Sequence, residues 1–163
     1  MRIRRARPDD ADALVRIHGD MGDHYAELNG ELFHRPDLEG FDAVLRQELT
    51  AGDADALQLV AELDGEVVGS LDARVLRPSE GAAFAFARDL LAPRLRIEYL
   101  ATAAAHRGSG VGTALVEAAE AWGRANGAAV CELTTYHGSP PAMSFWTGRA
   151  GYAQRSVNLR KVL

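Results

Sequence analysis

The spacing of apolar and polar residues along this chain changes period several times, and each change predicts an element. Residues 2–7 alternate incompletely and predict a short strand. Pro8-Asp9-Asp10 predicts a helix start, because proline is preorganised for the first turn and carboxylates are favoured at the positive end of the helix dipole. The stripe of that helix reads as Ala11, Leu14, Val15, His18 and Met21. Residues 22–36 hold glycines, a proline and two histidines, and predict a short helical piece flanked by loops. A second helix is predicted over 39–51, with Phe41, Val44, Leu45, Glu48 and Leu49 at helical spacing.

The pattern then switches to alternation. Leu57, Leu59, Ala61 and Leu63 predict a strand, and Asp64-Gly65 a type I′ turn whose twist suits a hairpin. The return strand sets Val67, Gly69, Leu71, Ala73 and Val75 on one face. After a partly helical connection over 77–92, strands are predicted over 93–102 and 129–136. A helix over 110–126 lies between them, with Val111, Leu115, Ala118, Trp122 and Ala125 on one face and Asn126-Gly127 as its stop. A last helix starts near Ser139-Pro140-Pro141, carries Met143, Phe145 and Trp146, and ends by Gly151; a terminal strand is predicted over 152–162. The order β-α-α-β-β-β-α-β-α-β predicts an α/β chain with a mixed, mostly antiparallel sheet and helices on both faces.

Composition narrows the function classes. At 163 residues, 47% of them apolar and 25% charged, residues 1–163 read as a single domain with a real core. The lone Cys131 can form no internal disulfide and excludes a multi-cysteine metal site. The five histidines show no i, i+4 pair and no H-E-x-x-H, so no metal is expected. No apolar run approaches the ~20 residues of a membrane span. The basic N-terminus has no hydrophobic segment behind it, so a cytoplasmic location and no membrane partner are expected. A net charge of −5, with Lys161 the only lysine, argues against a nucleic-acid partner.

The chemistry concentrates in Thr102–Leu115, TAAAHRGSGVGTAL. Arg107, Gly110 and Gly112 form R-x-x-G-x-G, with an extra glycine at 108, between a predicted strand and an amphipathic helix. The first turn of a helix offers amides without intrahelical acceptors, and its dipole adds about half a positive charge. Glycines let a pyrophosphate approach those donors. Arg107 adds charge and Thr113 a hydroxyl. A P-loop would need a lysine that is absent. A dinucleotide turn would need a third glycine where Thr113 stands.

These residues resemble the GCN5-related N-acetyltransferase (GNAT) family. RIEYLATAAAHRGSGVGTALV is similar to its fourth strand, acetyl-CoA pyrophosphate loop and third helix. Ala142-Met143-Ser144-Phe145-Trp146 with Gly151-Tyr152 is similar to its A-x-x-F-Y…G-F/Y segment along the pantetheine. The resemblance implies a GNAT-like acyl-CoA N-acyltransferase fold, splayed between strands four and five, and acetyl-CoA as co-substrate. It implies that Arg107, Gly108, Ser109, Gly110, Val111, Gly112 and Thr113 hold the pyrophosphate. Leu100 and Thr102 would bond the pantetheine like an added strand, the amide near Leu100 also facing the thioester oxygen. Ser139, Phe145 and Trp146 would complete the cofactor site. Ser139 stands where the family often has asparagine, and Trp146 where it often has the tyrosine that protonates the thiolate. A homodimer is also implied.

Acetyl transfer to an amine needs an unprotonated nucleophile, since an alkylamine of pKa ~10 is mostly ammonium at neutral pH. Glu98 matches the family's catalytic glutamate, and burial in its apolar segment would raise its pKa and improve it as a base. The competing reading is a strand carboxylate facing solvent or paired with Arg96. Tyr99, Tyr136 and Tyr152 are candidates for an acid, but read better as packed aromatics. Cys131 reads as a small buried hydrophobe rather than an acyl carrier. His24 and Tyr25 fall where the family walls its acceptor pocket. The expected function is transfer of acetyl from acetyl-CoA to a primary amine of a small molecule or peptide. The alternatives are a non-catalytic acyl-CoA sensor of the same fold and a nucleotide-dependent enzyme.

Overall fold

The computed structural model describes residues 1–161. Its centre is a five-stranded sheet in sequential order, β1 (Arg2–Arg5), β2 (Ala56–Leu63), β3 (Glu66–Leu76), β4 (Arg94–Thr102) and β5 (Val130–Leu133). The first four strands are antiparallel, and β5 runs parallel to β4. Between β2 and β3 the chain turns on Asp64 (φ 51°) and Gly65 (φ 85°), both left-handed as a type I′ turn requires.

Helices α1 (Ala11–Leu28) and α2 (Phe41–Ala51) are on one side of the sheet. The inward stripe of α1 centres on the fully buried Ile17, with Ala13, Leu14 and Met21 around it, against Val60, Val67 and Ala101. The stripe read from sequence is therefore rotated, since it omits Ile17. In α2, Val44 is exposed and Phe41, Leu45 and Leu49 are half-buried. Helix α3 (Val111–Ala125) covers the opposite face, setting Val111, Leu115, Val116 and Ala119 on Leu71, Leu95 and Ile97. The chain ends with α4 (Pro140–Met143), which runs into a π-helical turn over Ser144–Arg149.

Three expectations are corrected. Helix α1 is continuous to Leu28, so the short helical piece expected within 22–36 is the end of α1, with no loop before it. Its interior Gly22 looks like a breaker in sequence, but a Cβ there would collide with the Pro36 ring; the glycine lets the following loop sit on the helix. The β2–β3 register slips between Ala61 and Glu62, which moves Val67 to the α1 face and gives its expected place opposite α3 to Val68. The expected terminal strand is not formed over 152–161, and its last residue, 162, lies outside the described residues. Val157 and Leu159 stay exposed, so too little apolar surface is buried to hold a strand there. Side chains tether the segment instead, Arg155 reaching Asp89 at 2.7 Å.

Candidate active site

The start of α3 is built to present amides. Gly110 precedes it in the left-handed region (φ 90°), Gly108 does the same two residues earlier (φ 79°), and no side chain caps the helix. The amides of Val111, Gly112 and Thr113 thus have no acceptor one turn back. A Cβ at Gly108 or Gly110 would meet nothing within 4 Å, so the space before these donors is open. The helix end is fixed from below by Gly69 of β3: a Cβ there would lie 2.5 Å from Val111 Cγ1 and 3.2 Å from the Ala101 carbonyl. The loop is also tied to α1. Asp20 Oδ2 accepts from the Ala104 amide at 3.0 Å, and the Asp20 carbonyl accepts from Arg107 at 3.3 Å. Ser109 Oγ donates back to the His106 carbonyl at 2.6 Å.

Beside this cradle, the sheet opens. Pairing between β4 and β5 covers only Arg94–Ile97 with Val130–Leu133, and from Glu98 onward the two strands diverge. The Ala103 amide donates to the Val68 carbonyl at 2.9 Å, so by strand alternation the amides of Thr102 and Leu100 turn into the gap. Gly112 abuts both sides of this space: the nearest atoms to a Cβ there are Phe145 Cζ at 3.4 Å and Leu100 Cδ2 at 3.8 Å. A cleft of about 600 Å³ lies along the loop, lined by Gly108, Pro141, Ser144, Phe145, Gly148 and Arg149. Sequence reading missed Arg149, an exposed cation on the same cleft. Ser144, Gly148 and Arg149 recur at helical spacing after Pro141, and that was its one available signal.

Glu98 occupies a bulge. Asp72 of β3 faces Tyr99 and Ala73 faces Ile97, leaving Glu98 as the extra residue of β4. Its side chain is exposed, which corrects the expectation of burial. Arg96 lies 4.0 Å from Glu132. Asp72, the cross-strand partner of Tyr99, is half-buried, and its carboxyl is pushed up to about 6, by burial first and by the charges of Glu48 and Glu98 second. Tyr99 beside it stacks under His18 of α1 (5.7 Å between centroids), and His18 meets Phe41 of α2 at 5.0 Å. Burial raises the Tyr99 hydroxyl and lowers the His18 imidazole from their ordinary values. Tyr99 Oη is buried near Ser70 without a hydrogen bond of ordinary geometry.

His24 and Tyr25 lie on α1, half-buried. Tyr25 packs on Phe33 at 4.9 Å and Phe33 on Tyr136 at 5.1 Å, while Asn29 Nδ2 donates to Tyr136 Oη at 3.0 Å. This aromatic group joins the end of α1 to the segment that continues β5. Ser139 and Trp146 do not line the cleft. Ser139 is 1% exposed at the start of α4, and Trp146 (8% exposed) is a core residue between Phe145 and Tyr152. Tyr152 donates to Glu120 Oε1 at 2.9 Å and lies 3.0 Å from Cys131 Sγ. Burial raises the Cys131 thiol, which opens on a separate cavity of about 220 Å³ shared with Leu95 and Glu120, not on the cleft. Among the described residues no group of His, Cys, Asp and Glu is placed to hold a metal, and no helix is long and apolar enough to cross a membrane.

The splayed sheet and the uncapped, glycine-led helix start are the two features that the sequence resemblance implied. Residues 22–152 match the Acetyltransferase (GNAT) family, and the chain belongs to it. No curated protein matches the sequence. Solved structures share the fold at low identity. A transcriptional regulator from Bacillus halodurans C-125 is 22% identical over 99% of both chains, with a TM-score of 0.74. A mutant of the BH1408 protein from Bacillus halodurans is 18% identical over 100% of both, with a TM-score of 0.78. An aminoglycoside acetyltransferase, meta-AAC0020, from an uncultured soil metagenomic sample, in complex with sisomicin, is 19% identical over 99% of this chain and 95% of that one, with a TM-score of 0.66.

Proposed function

We propose that the protein is an acetyl-CoA-dependent N-acetyltransferase acting on a primary amine. The observation that carries this reading is the set of unpaired amides at Val111–Thr113, facing open space beside a splayed sheet. The residues present fit the co-substrate. The α3 amides and Thr113 would take the diphosphate, with Arg107 and Arg149 adding charge from the loop and the cleft wall. The outward amides of Leu100 and Thr102 would take the pantetheine as a strand would. Bound acetyl-CoA supplies an acetyl thioester whose thiolate, with a pKa near ~8.5, is a tolerable leaving group.

The chain's own residues do the rest. The Leu100 amide is a fixed donor for the charge that develops on the carbonyl oxygen. Glu98 accepts a proton from the amine, directly or through water, which its exposure admits. His24 and Tyr25, with the aromatic group behind them, wall the acceptor side. Trp146 supports Phe145 from the core and delivers no proton.

Calorimetry with CoA, together with thiol release in a panel of 1,4-diaminobutane, sisomicin and a lysine tripeptide, tests this reading. The expected result is CoA binding and acceptor-dependent turnover, with Gly110→Glu abolishing CoA binding while the circular dichroism spectrum is unchanged. Unaltered CoA affinity in that variant overturns the placement of the cradle. Tight binding without turnover of any amine favours the sensor reading, which the absence of a proton donor at Trp146 supports.

A further inference from the structure

An ammonium substrate must lose two protons to become an amide, and the site described so far accepts one. The nitrogen begins with three hydrogens and ends with one. It forms its bond to the acetyl carbonyl carbon, the carbon–sulfur bond breaks, and sulfur keeps the electron pair and is protonated from solvent. One of the two protons goes to Glu98. The other needs a second acceptor within reach of the same nitrogen.

We infer that Asp72 is that acceptor, a second carboxylate at the acceptor end that binds the incoming ammonium and takes its first proton, leaving the second to Glu98. The inference rests on the acetyltransferase reading above. Its geometry comes from the bulge, which pairs Asp72 with Tyr99 and sets Glu98 next to both. Asp72 shares with Tyr99 the sheet face covered by α1, whose His18 stacks on Tyr99 and which carries His24 and Tyr25 about two turns further on. Among the described residues Asp72 forms no ion pair, in contrast to the buried Asp10. Asp10 is held by Arg4 at 2.7 Å, whereas the charged groups acting on Asp72 are Glu48 of α2 and Glu98 of β4. Its cross-strand partners are Tyr99 and, on β2, Gln58, both uncharged at neutral pH, and burial favours the neutral form of His18, which stacks on Tyr99. The cations further along the same face are engaged elsewhere: Arg74 pairs with Asp53 at 2.9 Å, and Arg96, across from Arg74, lies 4.0 Å from Glu132. A desolvated carboxylate flanked by like charges is costly to a fold, and an ammonium ligand is the counter-ion that relieves it. Its position near neutrality also suits proton exchange at working pH.

The test compares the wild-type chain with Asp72→Asn, Glu98→Gln and the double variant. CoA affinity by calorimetry should agree within about twofold across the set; a loss confined to Asp72→Asn overturns the inference by tying Asp72 to the cofactor end. With sisomicin and 1,4-diaminobutane as acceptors, Asp72→Asn should lower kcat/KM at least tenfold, mainly through KM. It should also remove one ionisation from the acid limb of the pH profile, the ionisation that Glu98→Gln retains. Thermal melts between pH 4 and 8 supply a readout without substrate: Asp72→Asn should melt higher than wild type above pH 6 and match it at pH 4. An unchanged acid limb, or an Asp72→Asn protein less stable at pH 7.5, overturns the inference by making Asp72 structural. Failure of the underlying reading shows differently, as a wild-type chain that does not bind CoA, and that result removes Asp72's role with it.

Discussion

Two aspartates show how differently one residue type is used. Asp10 accepts from both terminal nitrogens of Arg4, at 2.7 and 2.9 Å, and from the Arg7 amide at 2.7 Å, and these partners, Arg4 foremost, hold its carboxyl below the ordinary range. Its contribution is fully present above the unfolded-state pKa of about 3.9 and is lost as pH falls through the lower folded value. Asp72 has the opposite sign. Its folded pKa of about 6 exceeds the unfolded value, so the native state binds the extra proton. Stability therefore falls as pH rises from about 4 to about 6 and stays lower above that. A shift of this size corresponds to roughly 3 kcal/mol at most. Asp72→Asn is accordingly expected to raise the denaturant midpoint at pH 7.5 and not at pH 4. Asp10→Asn should lower it at pH 7.5, through a stability loss of about 3 kcal/mol, because the Arg4 charge is left half-buried with Glu62 alone. Urea titrations at the two pH values check both signs.

At the scale of elements, the site depends on how closely α3 rests on the sheet. Gly69 permits that approach, and Gly69→Ala would force a Cβ into Val111 and the Ala101 carbonyl. The expected cost is about 1–3 kcal/mol of stability from overpacking. CoA binding should weaken as well, because the start of α3 is lifted off its seat; calorimetry and urea unfolding of the variant check the two effects together. What the sequence could and could not announce follows the same logic. The Asp64-Gly65 hairpin and the 108–113 loop were legible because their signals are local: left-handed turn positions and glycines beside a helix start. The continuation of α1 through Gly22 was not, since its cause is Pro36, a residue from another segment. Face assignment failed where bulges shift alternation by one residue, at Ala61/Glu62. The bulge at Asp72/Ala73 likewise leaves Glu98 exposed beside the half-buried Asp72, which nothing in its own neighbourhood singles out. Trp146 aligned with a family motif, yet whether a motif residue faces the cleft or the core is decided by packing. Phe145 took the cleft and Trp146 the core.

Across the whole molecule, rigidity and openness divide along β4. One half of the chain, β1 to β4 with α1 and the body of α3, closes its backbone hydrogen bonds around two buried clusters on either face of the sheet. The other half, from Glu98 outward to the continuation of β5 and the segment beyond Tyr152, leaves donors facing a gap that no strand among the described residues fills. A ligand that bonds like a strand would complete the sheet there and protect those donors without altering the rest. Amide hydrogen exchange makes this measurable, because exchange reports local opening and not global stability alone. Addition of CoA is expected to slow exchange at least tenfold for Leu100 and Thr102 and for Val111–Thr113, while amides at the centres of β2 and β3 keep their rates. Slowing spread evenly over the sheet would indicate general stabilisation by binding elsewhere. Slowing confined to the 220 Å³ cavity at Leu95 and Cys131 would place the ligand on the wrong edge of α3. Only protection on both sides of the splay, from β4 and from the start of α3, fits a cofactor that spans the two.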